Sequence, residues 1–180
     1  LDVAKAKALF AETGLKSIRL LCTDHAWVQK ATPIIKSNLE AAGLTVDFTQ
    51  KKSSDVYTTI DASPNAFDAV IAPGDPSVFG SDADLLLRWW YGNDTWTNKR
   101  MHWKGQDSCT QMQALLDKAT KASGAEQKAL WGQVFDLASE VVPMYPLFHR
   151  KSTTGYDGKT LIGFKPIAVT GLSFMDTATS

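Results

Sequence analysis

The chain has 180 residues, of which 44% are hydrophobic and 21% charged, as is usual for one folded globular domain. Its 19 lysines and arginines equal its 19 aspartates and glutamates, so it lacks the basic surface that nucleic acids and anionic membranes require. No stretch approaches the roughly 20 apolar residues of a membrane span. The chain opens Leu1-Asp2-Val3 without an initiator methionine or a signal peptide, so we expect a fragment of a longer protein or a processed product.

The first quarter of the chain alternates predicted helices and strands. In chain order these are a helix over 2–13, a strand over 17–23, a helix over 26–42 and a strand over 44–49. Asp2 can cap the first helix and Gly14 can end it. In the second helix, Pro33 either produces a kink or lies in the first turn of a helix that starts late, with Thr32 as its cap. A strand, a helix and a strand in so short a span predict a βαβ unit with parallel strands.

The rest of the chain predicts further elements of both kinds. These are a short helix over 53–60, a strand over 67–72, paired helices over 108–122 and 125–142, and an extended apolar segment over 144–150. Ser53 or Ser54 would cap the short helix. Pro146 makes the extended segment an edge strand or a crossing segment. The last helix carries a broad apolar stripe, which predicts burial against a sheet. The stripe runs through Leu130, Val134, Leu137 and Val141.

Aromatic residues are concentrated between the third strand and the helical pair. Four of the six tryptophans fall within fifteen residues, after a turn over 73–76. They are Trp89, Trp90, Trp96 and Trp103, with Tyr91 among them. We interpret this segment as a loop whose rings stack on an organic ligand, because bulky rings beside glycine, asparagine and aspartate do not make one simple core. The alternative is that the rings seal a small satellite core beneath a long loop.

Neither a metal site nor a catalytic centre is predicted. Cys22 and Cys109 are far apart and either form a disulfide in an exported protein or remain buried thiols, and the apolar strand around Cys22 favours a thiol there. Cys22 and Asp24 lie on one side of the first strand and His25 on the other, which argues against a shared metal. No Gly-x-Ser-x-Gly, phosphate-binding glycine loop or His-Glu-x-x-His motif occurs, so we expect no enzyme, no catalytic residue and no cofactor.

The order of these elements carries a resemblance to a known family. The leading helix has the form Asp-x-x-Lys-Ala-Lys-x-Leu-x-x-x-x-Gly, and the βαβ unit closes with Leu-Glu-Ala-Ala-Gly-Leu-Thr-Val over 39–46. A Phe-Asp strand then ends in Gly-Asp-Pro, and the helical pair leads into Val-Val-Pro-Met-Tyr-Pro-Leu. This ordered set resembles the C-terminal half of a family 5 extracellular solute-binding protein, of the peptide, oligopeptide and nickel group that serves ABC importers. The resemblance covers roughly residues 2–158.

The resemblance implies an α/β fold with a mixed sheet flanked by helices. This would be one lobe of a clamshell of the periplasmic-binding-protein-like type II, in which a larger N-terminal lobe completes the solute cleft. Residues 1–142 would form the lobe, and residues 143–180 a crossing strand and a tail that returns toward the missing lobe. Without that lobe, the tail would be disordered or packed on its own lobe or on a neighbour. The protein would work on the extracellular side of the cytoplasmic membrane, either periplasmic or lipid-anchored, with ABC permease subunits as partners.

The resemblance also implies residues that contact the solute. In the peptide binders of this family an aspartate after the Phe-Asp strand takes the ligand's α-amino group, and Asp75, beside Gly74, occupies roughly that position. The turn is shorter here than in those binders, and an aspartate between glycine and proline is also a common turn former. Arg88 could meet a carboxylate or pack over a tryptophan. Asp24 could contact the solute or cap the next helix. Trp89, Trp90, Tyr91 and Trp96 are the stacking candidates.

We therefore expect a binding module without covalent chemistry. A peptide is the expected solute, with nickel chelates, opines and oligosaccharides as alternatives. Two other classes remain open, namely a stand-alone α/β enzyme, such as a hydrolase or a flavodoxin-like domain, and a module that docks a protein partner through its aromatic loop.

Overall fold

A computed structural model of the chain describes residues 2–74, 82–149, 151, 153–165, 173–175 and 177–179. The chain forms two compact units. We call residues 1–74 with 98–102 the sheet unit, and residues 75–97 with 103–180 the helical unit. The division into a lobe over 1–142 and a tail over 143–180 stays a prediction.

The sheet unit contains the predicted βαβ unit. Its elements are α1 (Val3–Thr13), β1 (Ser17–Thr23), α2 (Ala26–Ala41), β2 (Thr45–Lys51), α3 (Ser53–Ala62), a 3-10 turn (Pro64–Ala66) and β3 (Ala69–Ile71). The strand order is β2-β1-β3, and both pairings are parallel, with Leu20 opposite Phe48 on one side and Ala69 on the other. The parallel pairing of β1 and β2 is confirmed. The third strand is shorter than predicted.

The residues predicted to start and end the first two helices do so only in part. Asp2 accepts a hydrogen bond from the Lys5 backbone N–H at 2.9 Å, and Gly14 ends α1 with a left-handed φ of 71°. Helix α2 continues through Pro33, so the late start at Thr32 is wrong. Thr32 instead lies buried in the helix, and its hydroxyl donates to the Val28 carbonyl at 2.8 Å. Pro33 is exposed, so water can solvate the carbonyl that lacks a helical donor.

Helices cover both faces of the parallel sheet. Successive residues of β1 point to opposite faces, so Leu20 and Leu21 enter different cores. Val28 of α2 packs on one face and Ile60 of α3 on the other. This arrangement confirms the predicted α/β layering. Within the described residues the three paired strands are all parallel, whereas antiparallel pairing occurs in a separate two-stranded ladder near the C-terminus.

The first described element of the helical unit is a helix, where the aromatic loop was predicted. Its described elements are α4 (Ala83–Tyr91), α5 (Asp107–Lys121), α6 (Gly124–Val141), β4 (Leu161–Ile162) and β5 (Ala178–Thr179), and a π-helical turn over Thr95–Arg100 follows α4. The loop prediction is therefore wrong for α4. Asp82 caps the helix by accepting from the Asp84 N–H at 2.8 Å, and Gly92 ends it. Arg88 pairs with Asp84 one turn earlier, which adds support along the helix.

Helices α5 and α6 are joined by a two-residue connection and form a helical hairpin. They pack mainly against each other. The buried residues of α5 are Cys109, Met112, Leu115, Leu116 and Ala119. Only Val134 and Leu137 of the α6 stripe are buried, while Leu130 and Val141 are half-buried. The expectation that this stripe is buried against a sheet is wrong, because a helix covers it instead.

The region after α6 departs from the predicted edge strand. Residues 144–149 form no strand, and the large side chains of Tyr145, Leu147 and Phe148 are exposed. Part of the tail packs on itself, since β4 pairs with β5 and the Phe164 ring lies 4.7 Å from that of Tyr156. Cys22 and Cys109 are both free and buried.

Asp68 extends the pairing of β1 with β3 by side-chain bonds. One carboxylate oxygen accepts from the Arg19 backbone N–H at 2.8 Å, and the other accepts from the Arg19 guanidinium at 2.7 Å. The Asp68 backbone N–H donates back to the Arg19 carbonyl at 3.0 Å. The bonds from Arg19 lower the pKa of Asp68 from 3.8 to about 2.

This lowered pKa makes part of the stability dependent on pH. The contribution of Asp68 is complete above its unfolded pKa of 3.8 and is lost as pH falls through its folded value of about 2. We expect Asp68→Asn to melt at a lower temperature than the wild type at pH 7, and this difference to close in strong acid. Thermal unfolding followed by circular dichroism over that range would measure it. Asp47→Asn, at an exposed position of β2 paired with Arg19 in register, is the control. A constant difference at every pH would contradict the assignment.

Candidate functional site

The carboxyl ends of the three parallel strands form the edge at which open α/β sheets bind ligands. Strand β1 lies between its two neighbours, and the two crossover helices cover opposite faces, so the topology switches between β1 and β3. Asp24 follows β1 directly, and Gly74 lies three residues after β3. The fold therefore brings two of the predicted contact residues to the same edge. Asp75 lies outside the described residues, so its predicted role stays a prediction.

The Asp24 side chain caps a helix, although not the predicted one. Its Oδ1 accepts from the Ser53 backbone N–H at 3.1 Å and so caps α3 rather than α2. Helix α2 begins after His25 without a side-chain cap, and the predicted caps of α3 by Ser53 or Ser54 are also wrong. The Ser54 hydroxyl instead donates to Asp55 at 3.2 Å. One carboxylate oxygen of Asp24 is engaged in this cap. Contact between Asp24 and a solute stays a prediction.

Removing this cap has a measurable consequence. Asp24→Ala leaves the Ser53 N–H without its acceptor, so we expect unfolding to need about 1 kcal/mol less free energy. Urea unfolding curves of the variant and the wild type give this difference directly. Ser54→Ala is the matched control and should stay within about 0.5 kcal/mol of the wild type. Equal losses in both variants would show that Asp24 is not the functional cap.

A group of polar side chains fixes the loop after β1. Thr23 is fully buried, and its hydroxyl lies 3.0 Å from Nδ1 of His25. The Thr23 carbonyl accepts from the Gln50 side chain at 3.1 Å, and the Asp24 carbonyl accepts from Gln29 at 3.0 Å. The two glutamines were not singled out in the sequence, because each acts across several residues on a backbone group. Together these bonds hold the carboxyl edge of β1 in one conformation.

Cys22 lies directly before this loop but is not a reactive group. Its side chain is fully buried, and burial raises the pKa of the thiol. The Thr32 hydroxyl lies 3.7 Å from its sulfur. In the part of the chain that the structure describes, no group of three or more His, Cys, Asp or Glu side chains could hold a metal ion.

Helix α4 divides the aromatic residues between its two sides. Trp89 is 46% exposed, and Leu85, one turn earlier, is also exposed. Tyr91 is buried on the other side with its ring 6.1 Å from that of Trp103, edge to face, and burial raises its pKa. Trp90 is half-buried on the helix. The alternative of a satellite core therefore describes Tyr91 and Trp103, whereas the Trp89 side chain is exposed.

Trp96 lies half-buried in the π-helical turn that follows α4. The Asn93 carbonyl, just before this turn, accepts hydrogen bonds from the Trp96 and Thr97 backbone N–H groups at 3.1 and 3.0 Å. A stacking role for Trp96 stays a prediction.

Arg88 connects α4 to α5. Its guanidinium donates to Asp84 at 3.2 Å, to Asp117 at 3.0 Å and to Thr120 at 2.7 Å. The Gln113 side chain adds a bond from α5 to the Tyr91 carbonyl. The pair with Asp84 could have been found from its spacing of four residues, but the partners on α5 are distant in sequence. These bonds hold α4 in place, so the exposed Trp89 ring is presented from a fixed helix.

No protein-family model matches the chain, and no curated protein matches its sequence. Solved structures do share its fold. NikA from Staphylococcus aureus in complex with Ni(L-His)2 is 18% identical with a TM-score of 0.66, over 79% of this chain and 30% of that one. AgaA from A. tumefaciens R10 in complex with agropinic acid is 26% identical with a TM-score of 0.63, over 78% and 28%. The oligopeptide-binding protein AppA from Bacillus subtilis, in complex with a nonapeptide, is 18% identical with a TM-score of 0.59, over 78% and 30%.

These similarities define the class of fold as a portion of a periplasmic-binding-protein-like structure. The resemblance to family 5 solute-binding proteins is confirmed at the level of the fold, and the chain spans only about 30% of the length of the structures that it matches. A share of that size is consistent with a single lobe. None of the described helices is long and apolar enough to cross a membrane.

Proposed function

We propose that this chain is one lobe of the solute-binding component of an ABC importer and that it performs no covalent chemistry. The observation that carries the proposal is the fold shared with solute-binding proteins over about 30% of their length. Three structures with that fold hold Ni(L-His)2, agropinic acid and a nonapeptide, so the fold serves small polar solutes of varied chemistry. We propose a peptide or a similar small solute for this chain, because an exposed indole offers a stacking surface to organic ligands.

The proposed mechanism is enclosure of the solute between this lobe and a second one. Asp75, with Gly74, would pair with a solute ammonium, and this attraction would strengthen once closure excludes water. Trp89 would stack on an apolar part of the solute. Arg88 and Tyr91 hold α4 in place through hydrogen bonds and ring packing, and would thereby fix the position of Trp89. Asp24 would shape the edge of the cleft through its cap on α3.

The second lobe would belong to the same longer protein. Several apolar side chains after α6 are exposed, among them Tyr145, Leu147 and Phe148. Such side chains seldom cluster on the surface of a complete protein, which supports the proposal that a second lobe covers them. The complete protein would act on the extracellular side of the cytoplasmic membrane, periplasmic or lipid-anchored. Its closed form would pass the solute to ABC permease subunits.

The test uses the longer protein of which we propose this chain is a part. Its tryptophan fluorescence is followed while a pool of di- to pentapeptides is added, and a saturable change is expected. Trp89→Ala should weaken binding about tenfold, which corresponds to the loss of about 1.4 kcal/mol of stacking energy. Trp131→Ala, at a half-buried position of α6, is the matched control and should mainly lower stability.

Two outcomes would count against the proposal. Equal affinity in the folded Trp89 and Trp131 variants would refute the aromatic contact. The 180-residue chain alone supplies half of a cleft and should bind weakly or not at all, so sub-micromolar binding by it would refute the two-lobed mechanism. No response to peptides would redirect the titration to chelated metals and sugars.

A further inference from the structure

A cavity opens at the amino-terminal edge of the parallel sheet, opposite the carboxyl edge described above. Its volume is about 310 Å³, and it lies wholly within the sheet unit. Arg19 of β1 forms one wall, and Asn65, Phe67 and Asp68 of the connection into β3 form another. Residues 100–102 close the remaining side. We call this cavity the Arg19 pocket. Because it lies at the other end of the strands, it is separate from the proposed solute-binding edge.

The wall formed by residues 100–102 is firmly attached. Arg100 donates two hydrogen bonds to Asp61, at 3.2 and 3.1 Å, and lies 4.9 Å above the ring of Tyr57. The His102 ring meets the Phe67 ring edge to face at 5.4 Å. His102 has a left-handed φ of 52° and follows shortly after the π-helical turn. Both features are enriched at functional positions in proteins.

The lining of the pocket includes hydrogen-bond donors that are not used by the described residues. Three of the five N–H groups of the Arg19 guanidinium donate, to Asp68 and to the Asn65 carbonyl, so two have no partner among the described residues. The Arg19 side chain is 47% exposed, which leaves these groups accessible. Both oxygens of Asp68 already accept from Arg19. The Asn65 amide and the His102 ring add further donors without a hydrogen-bond partner in the described part of the chain.

We propose that the Arg19 pocket binds a small carboxylate. One N–H on each terminal nitrogen of the Arg19 guanidinium has no described partner and can donate to a planar carboxylate, and the Asn65 amide and His102 ring can donate to the same group. Asp68 is already paired with the Arg19 guanidinium, so its charge attracts a cation less than a free carboxylate would. Asp68 also balances the charge of Arg19, so the attraction rests on hydrogen bonds and the dissociation constant falls in the millimolar range, about 1 mM.

The test is an NMR titration of the ¹⁵N-labelled 180-residue chain with sodium succinate, with sodium chloride replaced to keep ionic strength constant. Saturable shifts are expected for the Arg19 Nε–H, the Asn65 amide and the His102 backbone. Asn65→Ala removes a donor without touching the Asn65 carbonyl and should weaken binding about tenfold. Asn38→Ala, at an exposed site on α2 outside the pocket, is the matched control and should leave binding unchanged.

His102→Gly is the second variant, because glycine adopts the left-handed conformation without strain and removes the ring. It should also weaken succinate binding. Shifts that rise linearly without saturation, or that sodium chloride alone reproduces, would overturn the proposal. So would tighter binding of sulfate than of succinate, or unchanged affinity in the folded Asn65 and His102 variants.

Discussion

Trp103→Ala should lower the free energy of unfolding by about 4 kcal/mol, the largest effect that we expect from a single substitution in the helical unit. Trp103 is 2% exposed, and its ring packs edge to face on the ring of Tyr91. Its indole N–H donates to the Ser108 hydroxyl at 2.8 Å, and its backbone N–H donates to the Thr97 carbonyl at 2.7 Å. Truncation removes the ring contacts, opens a large cavity and leaves the Ser108 hydroxyl without its donor.

The matched control is Trp89→Ala, which removes the same side chain from a surface of α4. Trp89 is 46% exposed, so we expect a loss of less than about 1 kcal/mol. Urea unfolding of both variants, followed by far-ultraviolet circular dichroism, gives the two values. Similar losses would mean that Trp103 is not a core residue. The pair also separates the two roles that the aromatic segment combines, since Trp89 should affect solute binding and Trp103 should affect folding.

Ile60→Ala should cost about 3 kcal/mol in the sheet unit. Ile60 is 1% exposed on α3, in the core that this helix shares with Leu21, Val56 and Phe67. The lost methyl groups leave a cavity beneath one face of the sheet, where close packing limits relaxation.

Ile34→Ala is the control for this core. Ile34 is 64% exposed on α2, and alanine has the higher helix propensity, so stability should be unchanged or slightly raised. Thermal melts of both variants against the wild type measure the effect. A loss at Ile34 as large as the loss at Ile60 would contradict the assignment of the core to the α3 side.

Local patterns in the sequence predict the secondary structure of much of the sheet unit. Strand β1 was predicted with its exact bounds, and Asp2 and Gly14 end α1 as their chemistry requires. The parallel pairing of β1 with β2 followed from the short helical crossover between them. In contrast, the run of aromatic residues obscured the helical period of α4. The decisive signals there were Asp82 as a cap and the Asp84–Arg88 pair, which are present in the sequence but weak beside four tryptophans.

The amino-acid sequence by itself thus determined the α/β class, the first helices and strands and their parallel order, because caps, glycine stops and apolar periodicity act within a few residues. Only the tertiary structure decided which partner each side chain meets. Asp24 caps a helix that starts 29 residues later, and Arg88 binds Asp117 at the same separation. It also decided that Tyr91 is buried while Trp89, two residues earlier, is exposed. Such choices depend on which surfaces pack together, and that is set by contacts between residues far apart in the chain rather than by local propensity.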